Sequence, residues 1–279
     1  MNALGPIPSQ AKAFLAGRTK VSTYEACAGT VTAKFVEHNI THLPPIPAGS
    51  VIHDNACGSG TVTRVILAAS PPDITISATD IDQPFLDALQ EDVTTNSWPV
   101  QVSNQKSEAT SFPDEHFSHS ITNIAIFFTS ATGLDGAKEV YRTLKPGGYA
   151  IVNCWESITW FFPIKLVSEA TRGKPFVAPP INWSDGVQIQ KIMVEAGFDP
   201  EKMKVGTSEA WARTSDLRSW AEKAWAYLAG IGGWQESDEE KWDEAVDMLV
   251  EKLRAAPGTK VVDGETWMRA SQWWVVARK

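Results

Sequence analysis

The sequence is poor in cysteine and in basic residues, and both shortages narrow its possible functions. Its 279 residues include three cysteines, Cys27, Cys57 and Cys154, which are widely spaced and odd in number. This usage indicates a reducing compartment and argues against a disulfide framework or a structural zinc site. Asp and Glu outnumber Lys and Arg by 33 to 25, which gives a net charge of −8. Nucleic-acid binding is not expected, because phosphates require a basic surface.

A long apolar run is also missing. No stretch approaches the roughly 18 consecutive apolar residues that a membrane-spanning helix requires. Residues 1–6 carry neither a basic start nor an apolar segment, so we expect no signal peptide and a cytoplasmic location. His38 and His42 stand four apart without further ligands nearby, so no metal site is expected.

The most informative stretch begins with a short apolar strand at Val51–Ile52. Gly58 and Gly60 follow, and they supply a turn at which a ligand can approach bare backbone. Thr61–Ala69 has a helical composition and ends before Pro71–Pro72, which cannot continue a helix. Strand, glycine turn and helix therefore follow one another within a single short segment.

A second strand at residues 74–79 leads to Asp80. Glycine turn, helix, strand and carboxylate are the layout of a nucleoside-binding βαβ unit, in which the carboxylate accepts hydrogen bonds from both ribose hydroxyls. A dinucleotide fingerprint requires a third glycine, but Thr63 stands at that position. Asp54, just before the turn, would repel a pyrophosphate and suits a cation. The pattern thus favours a nucleoside ligand without phosphate.

The segment 54–60, Asp-Asn-Ala-Cys-Gly-Ser-Gly, resembles motif I of class I S-adenosylmethionine (SAM)-dependent methyltransferases, although the family usually has glycine where this chain has Ala56. Asp80 resembles the second-strand acid of that family. Residues 142–148, Arg-Thr-Leu-Lys-Pro-Gly-Gly, resemble its turn before the fifth strand. Three motifs in the expected order make the resemblance specific. Motif I and residues 117–123 further resemble small-molecule methyltransferases of fungal secondary metabolism.

The resemblance implies an α/β fold, with a Rossmann-like seven-stranded, mostly parallel sheet, helices on both faces and helical lid insertions. The alternation of strand and helix patterns from residue 51 onward agrees with it. The fourth strand is predicted at Ser120–Phe128 and the fifth at Tyr149–Cys154. The predicted domains are a helical cover at 1–48, a SAM-binding core at 49–209 with an insertion at 156–183, a helical cap at 210–268 and a last core strand at 269–279.

SAM is the cofactor that the resemblance implies. The predicted cofactor-binding residues are Tyr24, Asp54, Ala56, Gly58, Gly60, Asp80, Ile81, Ser107, Glu108 and Asn123. The family's adenine-binding acid usually stands where this chain has Lys106 or Ser107, so Glu108 is predicted to substitute, with simple solvent exposure as the alternative. Tyr24 is a cofactor or substrate contact, or else a half-buried aromatic residue. Asn123 needs hydrogen-bond partners, which either SAM or neighbouring backbone supplies.

The implied reaction is methyl transfer to a small, largely apolar metabolite. The predicted acceptor-lining residues are Trp155, Trp160, Phe161, Phe128 and Trp183, with core packing as the alternative role of each. Methyl transfer from a sulfonium mainly requires alignment and exclusion of water. A base is needed only when the acceptor loses a proton, and Glu156, after the predicted fifth strand, is the candidate. Methylation of nitrogen, oxygen and carbon all remain open.

Two other functions stay open at this point. One is a methyltransferase-fold protein that binds SAM without transferring methyl, as a regulator or a cyclase-like catalyst. The other is an NAD(P)-dependent oxidoreductase, against which Thr63 and Asp54 argue. Eight of the 12 tryptophans lie between residues 211 and 274, and an exposed aromatic patch there would favour a homodimer.

Overall fold

The computed structural model describes residues 6–69, 73–176 and 180–279, which divide into two units. The sheet unit comprises Thr32–Glu156, Ile181–Glu209 and Ser271–Lys279, as far as these ranges are described. The helical unit comprises the described residues of Met1–Val31, Ser157–Pro180 and Ala210–Ala270. The first five residues of the predicted cover and the helix-ending Pro71–Pro72 lie outside the described residues.

The sheet unit is built on seven strands in the order β3-β2-β1-β4-β5-β8-β6. The strands among the described residues are β1 Val51–Asn55, β2 Thr75–Asp80, β3 Val100–Asn104, β4 Phe117–Thr122, β5 Leu144–Ile158, β6 Met203–Thr214, β7 Thr259–Val262 and β8 Glu265–Arg278. Strand β7 pairs antiparallel with the first residues of β8 within the helical unit. The mostly parallel Rossmann-like sheet is confirmed, and within the described ranges it has eight strands in place of seven.

Strands β1 to β5 are all joined by parallel pairs. The end of β8 runs antiparallel to the start of β5, because the Gly147 N–H donates to the Lys279 carbonyl (2.9 Å) and the Lys279 N–H donates to the Gly148 carbonyl (3.0 Å). The carboxyl ends of parallel strands meet at one edge of a sheet. The residues that follow β1, β2 and β4 therefore share this carboxyl edge.

The helices fall into two groups. The sheet unit holds most of α3 Thr30–Ile40, and all of α4 Thr61–Ala69, α5 Gln83–Asn96, α6 Leu134–Thr143 and α8 Val187–Ala196. The helical unit holds α1 Ser9–Leu15, α2 Gly17–Tyr24, α7 Phe161–Arg172, α9 Leu217–Leu228, α10 Ser237–Glu240 and α11 Trp242–Ala255. Across the described ranges, none of these helices is long and apolar enough to cross a membrane.

Both faces of the sheet carry helices, as predicted. On one face, Val36 of α3 and Ile66 of α4 pack with Ile151 of β5 in a buried cluster. On the other face, Val140 of α6 packs with Val152 of β5, and α8 joins the same cluster. Successive residues of a strand point to opposite faces, so β5 contributes to both clusters. The apolar cores of the sheet unit thus hold the carboxyl edge in place.

The prediction of the fourth strand was wrong at both ends. It covered Ser120–Phe128, whereas β4 spans Phe117–Thr122 and a 3-10 turn follows at Ile126–Phe128. Ile124 has a φ of 55°, a left-handed conformation that a β-branched residue rarely adopts and that a strand cannot pass through. Asn123 therefore lies just beyond the strand, at the carboxyl edge.

The fifth strand is longer than predicted. Strand β5 continues through Trp155 and Glu156 to Ile158, so these two residues lie within the strand and not after it. The predicted helical cap at 210–268 contains α9, α10 and α11, but also β7 and parts of β6 and β8. Tryptophan and β-branched residues in these stretches, such as Trp211 and Val261, favour strands. The domain division itself stays a prediction.

Candidate functional site

The segment between β1 and α4 forms a tight turn at the carboxyl edge. Ala56 (φ 54°), Gly58 (φ 50°) and Gly60 (φ 83°) all have left-handed backbone. The Cys57 N–H donates to the carbonyl of Thr79 at the end of β2 (2.9 Å), and the Gly60 N–H donates to the Cys57 carbonyl (2.8 Å). Ala56 adopts the conformation that the family's glycine would adopt without strain. The turn is therefore built although one of its expected glycines is missing.

The two glycines of this turn are required for different reasons. A Cβ at Gly60 would lie 2.5 Å from Cδ1 of Leu89 on α5, so close packing excludes a side chain there. A Cβ at Gly58 would meet no heavy atom of the described residues within 4 Å, apart from its chain neighbours. Packing thus explains Gly60, whereas Gly58 borders open space in which a ligand has room.

Asp80 connects this turn to the loop after β2. Its Oδ2 accepts a hydrogen bond from the Gly58 N–H (2.8 Å). Its Oδ1 accepts from the N–H groups of Ile81 (2.7 Å) and Asp82 (2.9 Å). Because a carboxylate has about four acceptor positions, capacity remains for a further donor. Asp80 therefore combines a structural role in the turn with a free acceptor position at the sheet edge.

Asp54 lies fully buried at the end of β1. Its Oδ2 accepts hydrogen bonds from the Thr63 N–H (2.9 Å) and the Thr63 hydroxyl (2.6 Å). Within the described part of the chain, Asp54 Oδ1 is buried without a hydrogen-bond partner. Burial raises the pKa of Asp54 to about 6, against the opposing effect of the Thr63 hydrogen bonds. A buried carboxylate with one unused oxygen is suited to a cationic ligand.

Thr63 is a residue whose contribution sequence reasoning missed. It was considered only as the residue that replaces a third glycine. In the structure its backbone and hydroxyl both hold Asp54, at a separation of nine residues along the chain. A hydroxyl residue in the first turn of a helix that follows a strand-end acid was the available signal.

The loop after β3 reaches the same edge. The Gln105 N–H donates to the Asp80 carbonyl (3.0 Å), which fixes the start of this loop beside β2. Lys106 and Ala109 pair across an isolated antiparallel bridge, so the predicted residues Ser107 (buried) and Glu108 (half-buried) form the tip of a tight turn. Next to Asp80, the Ile81 side chain is 66% exposed. An apolar and a polar surface thus flank Asp80.

Asn123 finds its hydrogen-bond partners within the protein. Its Nδ2 donates to the Thr32 carbonyl (3.3 Å), and its Oδ1 accepts from Nδ2 of Asn153 (2.8 Å). Of the two kinds of partner that the sequence left open, neighbouring protein groups supply those seen here. Asn153 was not predicted to take part, because nothing in the sequence relates β5 to the turn after β4.

Three predicted acceptor-lining residues belong to the sheet unit, and their surroundings differ. Phe128, on the 3-10 turn after β4, is 72% exposed. Trp155 packs edge-to-face on Phe35 of α3, with ring centroids 5.7 Å apart. Trp183 packs against the buried cluster of α6 and α8, at 6.0 Å from the ring of Phe127. Phe128 is thus mostly exposed although its ring lies 4.4 Å from that of Phe127, whereas Trp155 and Trp183 also serve the packing of the unit.

The remaining predicted aromatic residues belong to the helical unit. The ring of Tyr24 lies 5.6 Å from that of Tyr227. Trp160 is only 2% exposed and packs edge-to-face on Trp220. Phe161 packs against Phe176 at 5.9 Å. Core packing therefore accounts for Trp160 within its own unit.

Glu156, the predicted base, lies half-buried on β5. Across residues 6–69, 73–176 and 180–279, no group of three His, Cys, Asp or Glu side chains is arranged to hold a metal ion. The chemistry that the described side chains offer at the carboxyl edge is therefore that of carboxylates, amides and apolar surfaces.

Comparison with known proteins identifies similar chains. Residues 52–148 match the sequence model of a family described as "Methyltransferase domain". The ubiquinone/menaquinone biosynthesis C-methyltransferase UbiE of Hydrogenovibrio crunogenus is 26% identical over 176 residues, which cover 56% of this chain and 68% of that protein. Methyltransferase tpcH of Aspergillus fumigatus is 23% identical over 130 residues, 44% of this chain and 45% of that protein.

Solved structures resemble the fold. A putative methyltransferase from Bacillus halodurans matches with a TM-score of 0.54 and 19% identity, over 89% of this chain and 98% of that one. A phosphoethanolamine N-methyltransferase 2 of Haemonchus contortus, in complex with SAM, matches with a TM-score of 0.59 and 15% identity, over 99% of this chain and 60% of that one. At these identities the likeness concerns the fold.

Proposed function

We infer that this chain, a class I SAM-dependent methyltransferase, transfers a methyl group to a small, largely apolar acceptor. The membership rests on the family match over 52–148, the UbiE relatives and the fold. The acceptor class is supported by one observation above all: beyond the proposed cofactor contacts, the carboxyl edge exposes the large apolar side chain of Phe128, which is 72% exposed. Apolar walls of this kind favour an apolar small molecule.

The residues of the turn fit SAM. Gly58 borders open space, Asp54 has an unused buried oxygen in the described structure, and Asp80 retains acceptor capacity. We propose that Asp54 attracts the cationic methionine part, that Asp80 accepts from a ribose hydroxyl and that Ile81 packs on the adenine. When bound, SAM supplies a methyl group that is already activated for transfer. What the chain itself contributes is alignment of the reactants and exclusion of water.

The other predicted cofactor contacts also stay proposals. Ser107 and Glu108, at the tip of their turn, are proposed to lie along the adenine, and Ala56 and Asn123 along the rest of the cofactor. Tyr24 stays a predicted cofactor or substrate contact. A homodimer and a cytoplasmic location likewise stay predictions.

The acceptor atom is best proposed as carbon. The UbiE relatives, which are 25–26% identical to this chain where the match covers most of their length, are C-methyltransferases by name. A carbon or oxygen acceptor must lose a proton, and we propose Glu156 as the group that accepts it. A nitrogen acceptor that is already neutral would make Glu156 dispensable.

Gly58→Ala is expected to weaken binding of S-adenosylhomocysteine by about 10-fold or more, because the new methyl group enters the ligand's space. The fold should tolerate the change at a cost of about 1 kcal/mol, since Ala56 adopts nearly the same φ. Titration calorimetry and urea denaturation measure the two effects. Gly49→Ala is the matched control, because Gly49 also has a left-handed φ (75°) and open surroundings but precedes β1 at the opposite edge. Equal ligand affinity in both variants would contradict the placement.

Ligand affinity is expected to depend on pH through Asp54. Its pKa is raised by burial to about 6, so it takes up a proton as the pH falls below that value. A protonated Asp54 no longer attracts the ammonium group of the ligand. Affinity for S-adenosylhomocysteine should therefore fall by about 10-fold between pH 7 and pH 5. Asp54→Asn should bind more weakly at pH 7 and lose this dependence, and an unchanged pH profile in that variant would rule Asp54 out.

Methyl transfer itself is tested by incubating the protein with SAM and fractionated metabolite extracts. The expected result is formation of S-adenosylhomocysteine together with a product that carries one added methyl group, found in an apolar fraction by mass spectrometry. The Asp80→Ala variant serves as the inactive control. SAM binding without turnover in any fraction would instead favour a protein that binds the cofactor and transfers nothing.

A further inference from the structure

We propose that Asn153 is a positioning residue for the cofactor site. Its side chain holds the Asn123–Ile124 turn at the carboxyl edge. This inference rests on the proposed function, because it concerns the shape of the same site. Asn153 lies on β5 and is fully buried. Its side chain contacts the turn, and it acts on the cofactor site through that turn.

One amide group holds the turn through two hydrogen bonds. Asn153 Oδ1 accepts from the Ile124 N–H at 2.7 Å. Asn153 Nδ2 donates to Oδ1 of Asn123 at 2.8 Å. An amide offers an acceptor at one end and donors at the other, so a single side chain satisfies both neighbours. An apolar residue of the same volume could make neither bond.

The turn needs such an anchor because its backbone is strained. Ile124 has a φ of 55°, and left-handed backbone is unfavourable for L-residues and most of all for β-branched ones. Strained conformations of this kind persist only where the surrounding structure imposes them, and they concentrate at functional sites. The hydrogen bond from the Ile124 N–H to Asn153 Oδ1 is placed to hold Ile124 in its left-handed conformation.

Further buried amides hold Asn153 itself in one orientation. Its Nδ2 also donates to Oε1 of Gln272 on β8. Gln272 Nε2 in turn donates to Oδ1 of Asn39 on α3 (2.8 Å) and to the hydroxyl of Ser208 on β6 (2.8 Å). Asn39, Asn153 and Gln272 are all at most 1% exposed. Buried amides that satisfy one another resist rotation, because a flipped amide would leave its neighbours unpaired.

The position of the turn links this network to the site. Thr122, the last residue of β4, is the Cα partner of Asn55, the last residue of β1. The turn after β4 therefore begins beside the segment 56–60 that forms the glycine turn. It also leads into Ile126–Phe128, which carries the exposed Phe128. A displaced turn would alter one wall of the cofactor site.

Asn153→Ala is expected to raise the Kd for S-adenosylhomocysteine by about 10-fold, measured by titration calorimetry at a temperature at which the variant is folded. Asn39→Ala is the matched control, since it removes an equally buried amide of the same network that does not contact the turn. It should lower the melting temperature by a similar amount but change the Kd by less than about 3-fold. Hydrogen exchange at the Ile124 amide should accelerate in the first variant only.

A conformational rescue separates positioning from general destabilisation. Glycine adopts φ near 55° without penalty, so adding Ile124→Gly to Asn153→Ala should restore the Kd to within about 3-fold of the parent value. Should Asn153→Ala fail to fold, Asn153→Asp keeps the volume and the acceptor for Ile124 while removing the N–H donated to Asn123. The Kd of Asn153→Asp for S-adenosylhomocysteine is expected to lie above that of the parent by less than the roughly 10-fold expected for Asn153→Ala.

Three outcomes would overturn the inference. They are an unchanged Kd in the folded Asn153 variant, equal loss of affinity in Asn39→Ala, and a double variant that binds no better than Asn153→Ala. All three leave the proposed function intact, because the parent protein still binds. Absence of binding by the parent would overturn the cofactor assignment and this inference together.

Discussion

Replacing Asp80 with alanine is expected to weaken binding of S-adenosylhomocysteine by about 100-fold or more. The variant loses the proposed hydrogen bond from a ribose hydroxyl to a carboxylate, which is worth about 1.5 to 3 kcal/mol. It also releases the N–H groups of Gly58 and Ile81, which the carboxylate holds at 2.8 and 2.7 Å. Both the ligand contact and the shape of the turn are therefore affected. Titration calorimetry at constant pH and salt measures the change.

Asp87→Ala is the matched control for this prediction. Asp87 is an exposed carboxylate in the second turn of α5, so the substitution changes the net charge by the same amount. It should leave the affinity within about 2-fold of the parent value, because an exposed charge outside the site is screened. The affinity of Asp80→Asn should lie between those of Asp80→Ala and Asp87→Ala, since the amide keeps one acceptor oxygen. If Asp80→Ala bound like Asp87→Ala, the assignment of Asp80 to the ribose would be wrong.

Replacing Asp238 with alanine is expected to destabilise the protein by about 3 to 5 kcal/mol. In the helical unit, Arg172 Nε donates to Asp238 Oδ1 at 2.9 Å, and the two side chains are 2% and 1% exposed. The guanidinium carbon lies 5.6 Å from the ring centroids of both Trp225 and Trp234. Without Asp238 a full positive charge stays buried among these rings without a counter-ion. Urea denaturation followed by tryptophan fluorescence measures the free energy of unfolding.

The double variant Arg172→Met with Asp238→Leu provides the control. It removes both charges and keeps apolar volume, so its stability should lie close to that of the parent. The single variant should thus be far less stable than the double one. A free energy of unfolding that is unchanged in Asp238→Ala would mean that water reaches Arg172 and that the pair is not buried in solution.

Much of the fold follows from patterns that are local in the sequence. The start of α5 is marked in the sequence by Asp82-Gln83-Pro84, and apolar residues recur along it at helical spacing. In α11 the buried side chains of Trp242, Val246, Leu249 and Leu253 likewise recur at helical spacing. The Gly197 stop of α8 has a left-handed φ of 118°. In each case residues that are close together in the sequence are sufficient to indicate the helix or its end.

The rest depends on contacts that no local pattern contains. Strand β4 ends at Thr122, where the left-handed turn at Ile124 begins. That turn is held by Asn153, which lies 29 residues further along the chain. Asn153 in turn meets Gln272 at a separation of 119 residues. An apolar run such as residues 124–128 reads as a strand when only its own composition is considered. The cofactor motifs, by contrast, are predictable because their residues lie close together in the sequence, with Asp80 only 22 residues after Gly58.

A crystal structure of the protein with S-adenosylhomocysteine would locate the adenosine relative to Asp80 and the glycine turn. We expect a ribose hydroxyl within hydrogen-bond distance of the Asp80 carboxylate, and the adenosine beside the Gly58–Gly60 turn. We also expect the ammonium group near Asp54, on the side of the unused oxygen. Adenosine bound elsewhere, or a turn that accepts the pyrophosphate of a dinucleotide in a parallel soak, would contradict this placement.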